Sequence, residues 1–306
     1  MRIAVLLPCY NEEAAIAQTV AGFRAALPGA AIYVYDNNSG DQTREVAAAA
    51  GAIVRTERMQ GKGHVVRRMF ADVEADIYVM ADGDATYDAS AAPALIDKLV
   101  TEQLDMVVGA RKSQIEEAYR RGHVLGNRVF TGLLSRLFGR TFSDIFSGYR
   151  VFSRRFAKSF PALSRGFETE TEISVHALEL AMSVGEVVTA YGARPEGSES
   201  KLSTYRDGWR IMRTILHLYR IERPVLFYGS FGLMLAVAAI VLSIPLAVTY
   251  AQTGLVPRFP TAILATGLII LAAMSFMCGL ILDTVVRGRR EMRRLAYLAL
   301  PAVGNG

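Results

Sequence analysis

Asp82-Gly83-Asp84 follows directly on an uninterrupted apolar run, Ile77–Met80. Two carboxylates at i and i+2 beyond a strand end can point into one crevice. With a diphosphate they offer hard oxygen ligands suited to Mg²⁺ or Mn²⁺. A cation held there offsets the charge that builds on a nucleoside-diphosphate leaving group, which is a Lewis-acid role. Asp and Gly are also ordinary turn formers, so the pair gains its weight from its neighbours. Asp36 closes a second apolar run, and Pro8, Tyr10 and Glu12 close the first. A carboxylate at such a place can accept a base N–H, and a tyrosine can stack on a ring. The segment Asp36–Asp41 also reads as a turn entering a helix, with Ser39 or Asp41 as its cap.

The elements that must carry these residues alternate along the chain. Ile3–Leu7, Ile32–Tyr35, Ile53–Arg55, Ile77–Met80 and Met106–Val108 read as strands, with helices over Glu12–Leu27, Asp41–Ala50, Gly63–Glu74 and Ser90–Gln103 between them. This alternation predicts an α/β domain whose mainly parallel sheet is covered on both faces. In such a sheet ligands bind at the carboxyl ends of the strands, which is where the polar residues gather. Beyond residue 110 the pattern loosens: a basic helix over 119–138, the segment Ser143–Arg155, an acidic helix start at Glu168–Glu172, a strand at Glu186–Tyr191 and a Gly/Ser-rich loop, Arg194–Thr204.

Of the 306 residues, 52% are hydrophobic. The excess sits in 225–251 and 259–282, two uncharged stretches that each exceed the roughly 18–20 residues needed to cross a bilayer as a helix. The formal charge of +5 divides unevenly: residues 1–200 carry −3, residues 201–223 carry +4, Arg258 adds +1 and the tail from Asp283 carries +3. Positive charge beside the spans and not on the folded domain disfavours nucleic-acid binding. By the positive-inside rule the domain and the tail are expected on the cytoplasmic side of the inner membrane, with the spans forming a multi-pass anchor. The expected division is a catalytic domain over 1–204, an amphipathic juxtamembrane helix over 205–224 with Trp209 at the lipid interface, spans over 225–251 and 259–282, and a basic tail over 283–306. The N-terminus reads as free of a secretory signal, and Cys9 and Cys278 are placed too differently to pair. Gly229 and Gly232 would let a first span approach another copy closely, so a homo-oligomer is one expectation.

Several motifs in order carry a resemblance. Pro8-Cys-Tyr-Asn-Glu12, Asp36-Asn-Asn-Ser-Gly-Asp-Gln-Thr43, Gly61-Lys-Gly63 and Ala81-Asp-Gly-Asp84 resemble the successive motifs of family 2 glycosyltransferases with the GT-A fold. Ser147-Gly-Tyr-Arg150 and Arg194-Pro-Glu-Gly-Ser-Glu-Ser-Lys201, followed by two spans, are similar to polyprenyl-phosphate glycosyltransferases of the dolichyl-phosphate mannose synthase type. The resemblance covers roughly residues 1–205. It implies a membrane-anchored inverting enzyme that moves one sugar from a nucleotide sugar, UDP-linked by expectation, to a polyprenyl phosphate such as undecaprenyl phosphate. It places Pro8, Tyr10, Glu12 and Asp36 at the nucleotide, Lys62 and Gly63 in a loop near the donor phosphates, and Asp82 and Asp84 at metal and ribose, Asp84 also counting as catalytic. Arg111, Arg150, Arg194, Ser200 and Lys201 then fall at donor or acceptor phosphates, with Arg150 and Asp144 also expected to be catalytic. Asp144, three residues before the Ser-Gly-Tyr-Arg motif, can orient Arg150, assist the acceptor, or form a plain salt bridge. Glu170 can line the acceptor sugar pocket, although acidic residues in a first helical turn are also favoured by the helix dipole. Two departures stand out: Thr86 replaces the usual Gln, and Asn37 stands where a second Asp is common.

The four histidines share no zinc-ligand spacing, and Walker, Gly-x-Gly-x-x-Gly and Gly-x-Ser-x-Gly patterns are absent. A polysaccharide synthase would carry Gln-x-x-Arg-Trp and further spans, whereas the only tryptophan, Trp209, follows Arg206-Asp-Gly. A non-catalytic membrane scaffold is the remaining alternative, and the intact carboxylate pair argues against it.

Overall fold

A computed structural model of the chain describes residues 1–113, 143–164, 166, 168–195, 216, 219–221 and 223–304. Contacts divide it into two units, residues 1–204 with 293–306, and residues 205–292. The basic 119–138 segment, Ser200, Lys201, Trp209 and nearly all of the expected juxtamembrane helix lie outside the described residues.

The first unit is built on a seven-stranded sheet: β1 (Ile3–Cys9), β2 (Ala31–Asp36), β3 (Ile53–Thr56), β4 (Ile77–Met80), β5 (Met106–Ser113), β6 (Arg150–Ser153) and β7 (Val184–Tyr191), in the spatial order β3-β2-β1-β4-β6-β5-β7. β1 and β4 are buried almost throughout because both faces are covered, and parallel strands of that kind read as continuous apolar runs. β6 runs antiparallel between β4 and β5. Sequence pattern does not reveal it, since it opens on an arginine.

Helices α1 (Ile16–Ala26), α2 (Thr43–Ala49), α3 (Lys62–Asp72), α4 (Ala92–Thr101), α5 (Arg154–Ser159) and α6 (Thr169–Glu179) accompany the sheet. In α1 the buried residues are Ile16, Thr19, Val20 and Phe23, the spacing of one helical face. Register fixes the site: Cys9 lies opposite Asp36 and Leu6 opposite Met80, so the loops leaving β1, β2 and β4 emerge at one edge.

The second unit contains α7 (Pro224–Thr253) and most of α8 (Phe259–Leu298), both long and apolar enough to cross a membrane. Apolar side chains such as Leu233, Ile240, Ile244 and Ile263 are exposed along them, surface that associates with a membrane. A Cβ on Gly232 would sit 2.9 Å from the Ala272 carbonyl oxygen, and Ser275 Oγ donates to the Tyr228 carbonyl at 2.8 Å. Gly232 thus serves the packing of α7 on α8 within the chain.

Most of the basic tail expected over 283–306 is helical, because α8 runs on to Leu298. Its 40 residues make it about 60 Å long, twice the ~30 Å hydrocarbon core. Its last turns belong to the first unit. Arg293 pairs with the buried Glu179 at 2.6 Å, Tyr297 Oη donates to Asp105 at 3.0 Å, and the Arg155 guanidinium lies 4.7 Å over the Tyr297 ring. Val303 joins the core cluster that contains Val5 and Leu7. Breaking a buried ion pair costs roughly 3–5 kcal/mol, and Arg293 keeps a little exposure. Arg293→Met is therefore expected to destabilise the first unit by roughly 2–4 kcal/mol, read as a lower Tm for its unfolding in detergent; an unchanged Tm would show the tail contact to be idle.

Candidate active site

The site is assembled at the carboxyl ends of β1, β2 and β4. Asp82, Gly83 and Asp84 leave β4, and Ala85 takes a left-handed φ of 55° to turn the chain. Gly83 is pinned from below: a Cβ there would collide with Cys9 Sγ, and Thr19 Oγ1 donates to its carbonyl at 3.1 Å. Asp84 is buried, and its Oδ1 accepts from the Thr86 amide at 3.2 Å and the Thr86 hydroxyl at 2.6 Å. The Thr86 that departs from the family pattern therefore acts on the carboxylate itself, leaving Oδ2 facing Arg194 Nη2 at 2.7 Å. Arg194 Nη1 also lies 3.9 Å from Glu12 Oε1.

Asp82 is the more open carboxylate, and its Oδ1 lies 2.5 Å from Lys62 Nζ. The same ammonium lies 2.5 Å from Glu170 Oε1. Burial alone would lower the Lys62 pKa, but Asp82 and Glu170 outweigh it and hold the pKa well above the ordinary lysine value. Lys62 thus keeps its positive charge. Gly63 beside it leaves no room for a side chain, because a Cβ would overlap the Ser164 carbonyl oxygen. Burial raises the Cys9 thiol, and Glu12, Asp36, Asp82 and Asp84 raise it further. One thiol thus senses four acidic groups of the crevice.

At the nucleotide edge, Tyr10 is 39% exposed, open enough to stack on a ring. Pro8 is part of β1, in register with Tyr35. Asp36 is fully buried and accepts from the Ser39 amide at 3.3 Å, so the turn expected from its sequence is formed. Asn37 donates to the Glu57 and Met59 carbonyls and accepts from the Gly61 amide at 2.7 Å. Its side chain holds the loop that presents Lys62.

Arg150 requires a correction. Expected at a phosphate, its guanidinium is wholly buried and donates to the carbonyls of Ser147 at 2.9 Å and Ile145 at 2.5 Å and to Ser174 Oγ at 3.0 Å. Burial pulls its pKa down to about 10. An arginine enclosed by these acceptors, with no exposed surface, ties down the loop before it and does not reach the open crevice. The rest of the motif is wall as well. Ser147 Oγ donates to the Gly109 carbonyl, the Gly148 amide donates to Tyr87 Oη, and a Cβ on Gly148 would lie 2.7 Å from Asp82 Oδ2.

Asp144 pairs with Arg111 and not with Arg150, through Nε at 2.7 Å and Nη2 at 2.9 Å. Arg111 also lies 5.3 Å over the Tyr191 ring. Glu170 faces Lys62, so its carboxylate belongs to the cation cluster. Sequence reasoning misses Tyr87, Tyr191 and Ser174; Tyr87, three residues beyond Asp84, and Tyr191, three residues before Arg194, lie near enough to a motif to be noticed.

Asp82 and Asp84 fit a divalent cation by donor type: two hard carboxylate oxygens that each already attract a positive side chain. Among the described residues no group of three or more His, Cys, Asp or Glu could hold a metal, so the remaining ligands would come from donor phosphates and water.

Burial raises the Asp144 pKa, but the Arg111 hydrogen bonds and charge outweigh it and leave it lowered. A depressed carboxylate pKa stabilises the fold above the unfolded value near 3.9, and that contribution is lost as pH falls through the lower folded value. Asp144→Asn is therefore expected to lower Tm at pH 7, with the gap to wild type narrowing below about pH 4. A gap that does not depend on pH would remove the ion pair from the account.

Residues 4–160 match the family model described as glycosyl transferase family 2. Glycosyltransferase AglJ of Haloferax volcanii is 31% identical over 299 residues, 97% of this chain and 98% of that one. A dolichyl-phosphate hexose transferase of the same organism is 28% identical over 221 residues, covering 72% and 95%. A glucosyl-3-phosphoglycerate synthase from Mycobacterium tuberculosis, solved in complex with Mn²⁺, UDP-glucose and phosphoglyceric acid, superposes with TM-score 0.52 and 26% identity over 63% of this chain and 72% of that one. Mannosyl-3-phosphoglycerate synthase from Rubrobacter xylanophilus shares the fold, with TM-score 0.61 and 20% identity over 72% and 74%. The mainly parallel sheet with flanking helices agrees with the GT-A architecture expected from the motifs. With half of its length on the family model and a relative at 31% identity along nearly all of it, the chain belongs to glycosyltransferase family 2 and is an enzyme of that class.

Proposed function

We propose that the enzyme transfers one sugar, with inversion, from a nucleoside-diphosphate sugar to a polyprenyl phosphate. UDP is the expected nucleotide, undecaprenyl phosphate the expected acceptor, and the cytoplasmic leaflet of the inner membrane the expected place. The observation that carries this reading is the pairing of Asp82 with Lys62 and of Asp84 with Arg194 at the mouth of β4, in a chain that also holds two helices apolar enough to cross a membrane. The dolichyl-phosphate hexose transferase relative supports the lipid acceptor. The Mn²⁺ and UDP-glucose bound by the solved mycobacterial neighbour support the donor and the metal.

Asp82 and Asp84 would hold Mg²⁺ or Mn²⁺, which when bound supplies Lewis-acid stabilisation of the leaving diphosphate. Tyr10 stacks on the base. Lys62 and Arg194 neutralise phosphate oxygens, Arg194 with a planar fork suited to binding them in pairs. Arg111, stacked on Tyr191 and held by Asp144, presents the positive charge on the acceptor side. The acceptor phosphate is already ionised near neutral pH. One of its oxygens attacks the anomeric carbon as the bond from that carbon to the diphosphate oxygen breaks, and the electron pair leaves on the nucleoside diphosphate. No strong general base is needed. The enzyme brings two anions into line, and positioning alone can supply up to about 7–11 kcal/mol, with the fixed cations adding electrostatic stabilisation.

The test is a transfer assay with purified chain, undecaprenyl phosphate and a panel of labelled UDP- and GDP-sugars. At least one nucleotide sugar is expected to give organic-soluble product with release of its nucleoside diphosphate, while chelation of divalent cations stops turnover and Mn²⁺ or Mg²⁺ restores it. Asp84→Asn is expected to lower kcat at least a hundredfold, about 2.7 kcal/mol in barrier. No stimulation by lipid phosphate with any donor would overturn the acceptor assignment, and turnover indifferent to chelation would overturn the metal.

A further inference from the structure

The two carboxylates that would hold a divalent cation each hold a cation of the chain's own. Asp82 Oδ1 lies 2.5 Å from Lys62 Nζ, and Asp84 Oδ2 lies 2.7 Å from Arg194 Nη2. Thr86 engages the other Asp84 oxygen, so Oδ2 is the one a metal and the arginine would contest. Each side-chain cation also has a second acidic partner: Glu170 Oε1 lies 2.5 Å from Lys62 Nζ, and Glu12 Oε1 lies 3.9 Å from Arg194 Nη1. Lys62 follows Gly61, whose φ is +132°, and Arg194 lies in the connection beyond β7.

The charges constrain what can enter. A bare divalent cation would have to push two positive side chains off their carboxylates and leave them nearby, where like charges repel. A diphosphate arriving with the metal gives both side chains a new anionic partner. We propose that Lys62 and Arg194 act as exchangeable counter-ions, seated on Asp82 and Asp84 in this arrangement and handed to the donor diphosphate when a metal takes the aspartates, so that metal and nucleotide bind as a pair and poorly apart. Glu170 and Glu12 serve as the anchors from which the two side chains swing. The inference rests on the metal reading above and adds the role of these two cations in the order of binding.

Electron paramagnetic resonance of free Mn²⁺, titrated into the full chain in detergent with and without UDP, tests it. UDP is expected to tighten Mn²⁺ binding to the wild type at least about tenfold. Lys62→Met and Arg194→Met are each expected to tighten Mn²⁺ alone roughly tenfold, the scale of removing one nearby like charge, and to shrink the enhancement by UDP. Arg194→Lys is expected to keep the wild-type coupling. The sign is diagnostic, because a side chain with only a packing role would weaken metal binding when lost. Arg194 is partly exposed, so its variant stays informative if Lys62→Met does not fold. Variants that bind Mn²⁺ alone no more tightly than wild type would overturn the exchange while leaving the metal site standing. No Mn²⁺ binding by any protein, with UDP or without it, would overturn the metal reading and the exchange together.

Discussion

A lysine ammonium enclosed by two carboxylates joins three elements that are distant in sequence. Lys62 opens α3, Asp82 leaves β4 and Glu170 lies in the first turn of α6. Taking a charge out of water costs several kcal/mol unless close partners offset it, so removing any one of the three leaves the other two poorly compensated. The neighbouring backbone accepts tight geometry to keep them together. Gly63 gives up its side chain to the Ser164 carbonyl, Gly148 lies against Asp82, and Gly61 takes a φ that other residues rarely adopt. The geometry of the crevice follows from satisfying those charges.

The parallel strands are readable from the chain because being covered on both faces leaves a plain mark, an unbroken run such as Ile77–Met80. The ends of those runs then locate the acidic residues without any knowledge of pairing. β6 leaves no such mark. A strand that begins with Arg150 looks like surface, and the carbonyls of Ile145 and Ser147, folded back around it, together with the Ser174 hydroxyl make burial tolerable. Contacts of that kind depend on a loop path that spacing does not specify.

The arginines show the same limit from the other side. Arg111, Arg150 and Arg194 carry the same chemistry and all sit in or near motifs. One pairs with Asp144 and stacks on Tyr191, one is enclosed as scaffold, and one reaches the carboxylate pair. Residue type promises a phosphate for each; the fold decides which of them meets open space. Thr86 is the complementary case. Judged as a ligand it looks weak, yet its hydroxyl sets which oxygen of Asp84 is available.

The return of the tail to the sheet has a consequence for biogenesis. Val303 packs in the same cluster as Val5, so the first and last parts of one core leave the ribosome on either side of two bilayer-seeking helices. The N-terminal portion can therefore complete this core only after both apolar helices have been synthesised. Completion of the globular part thereby becomes a late event in the making of the chain.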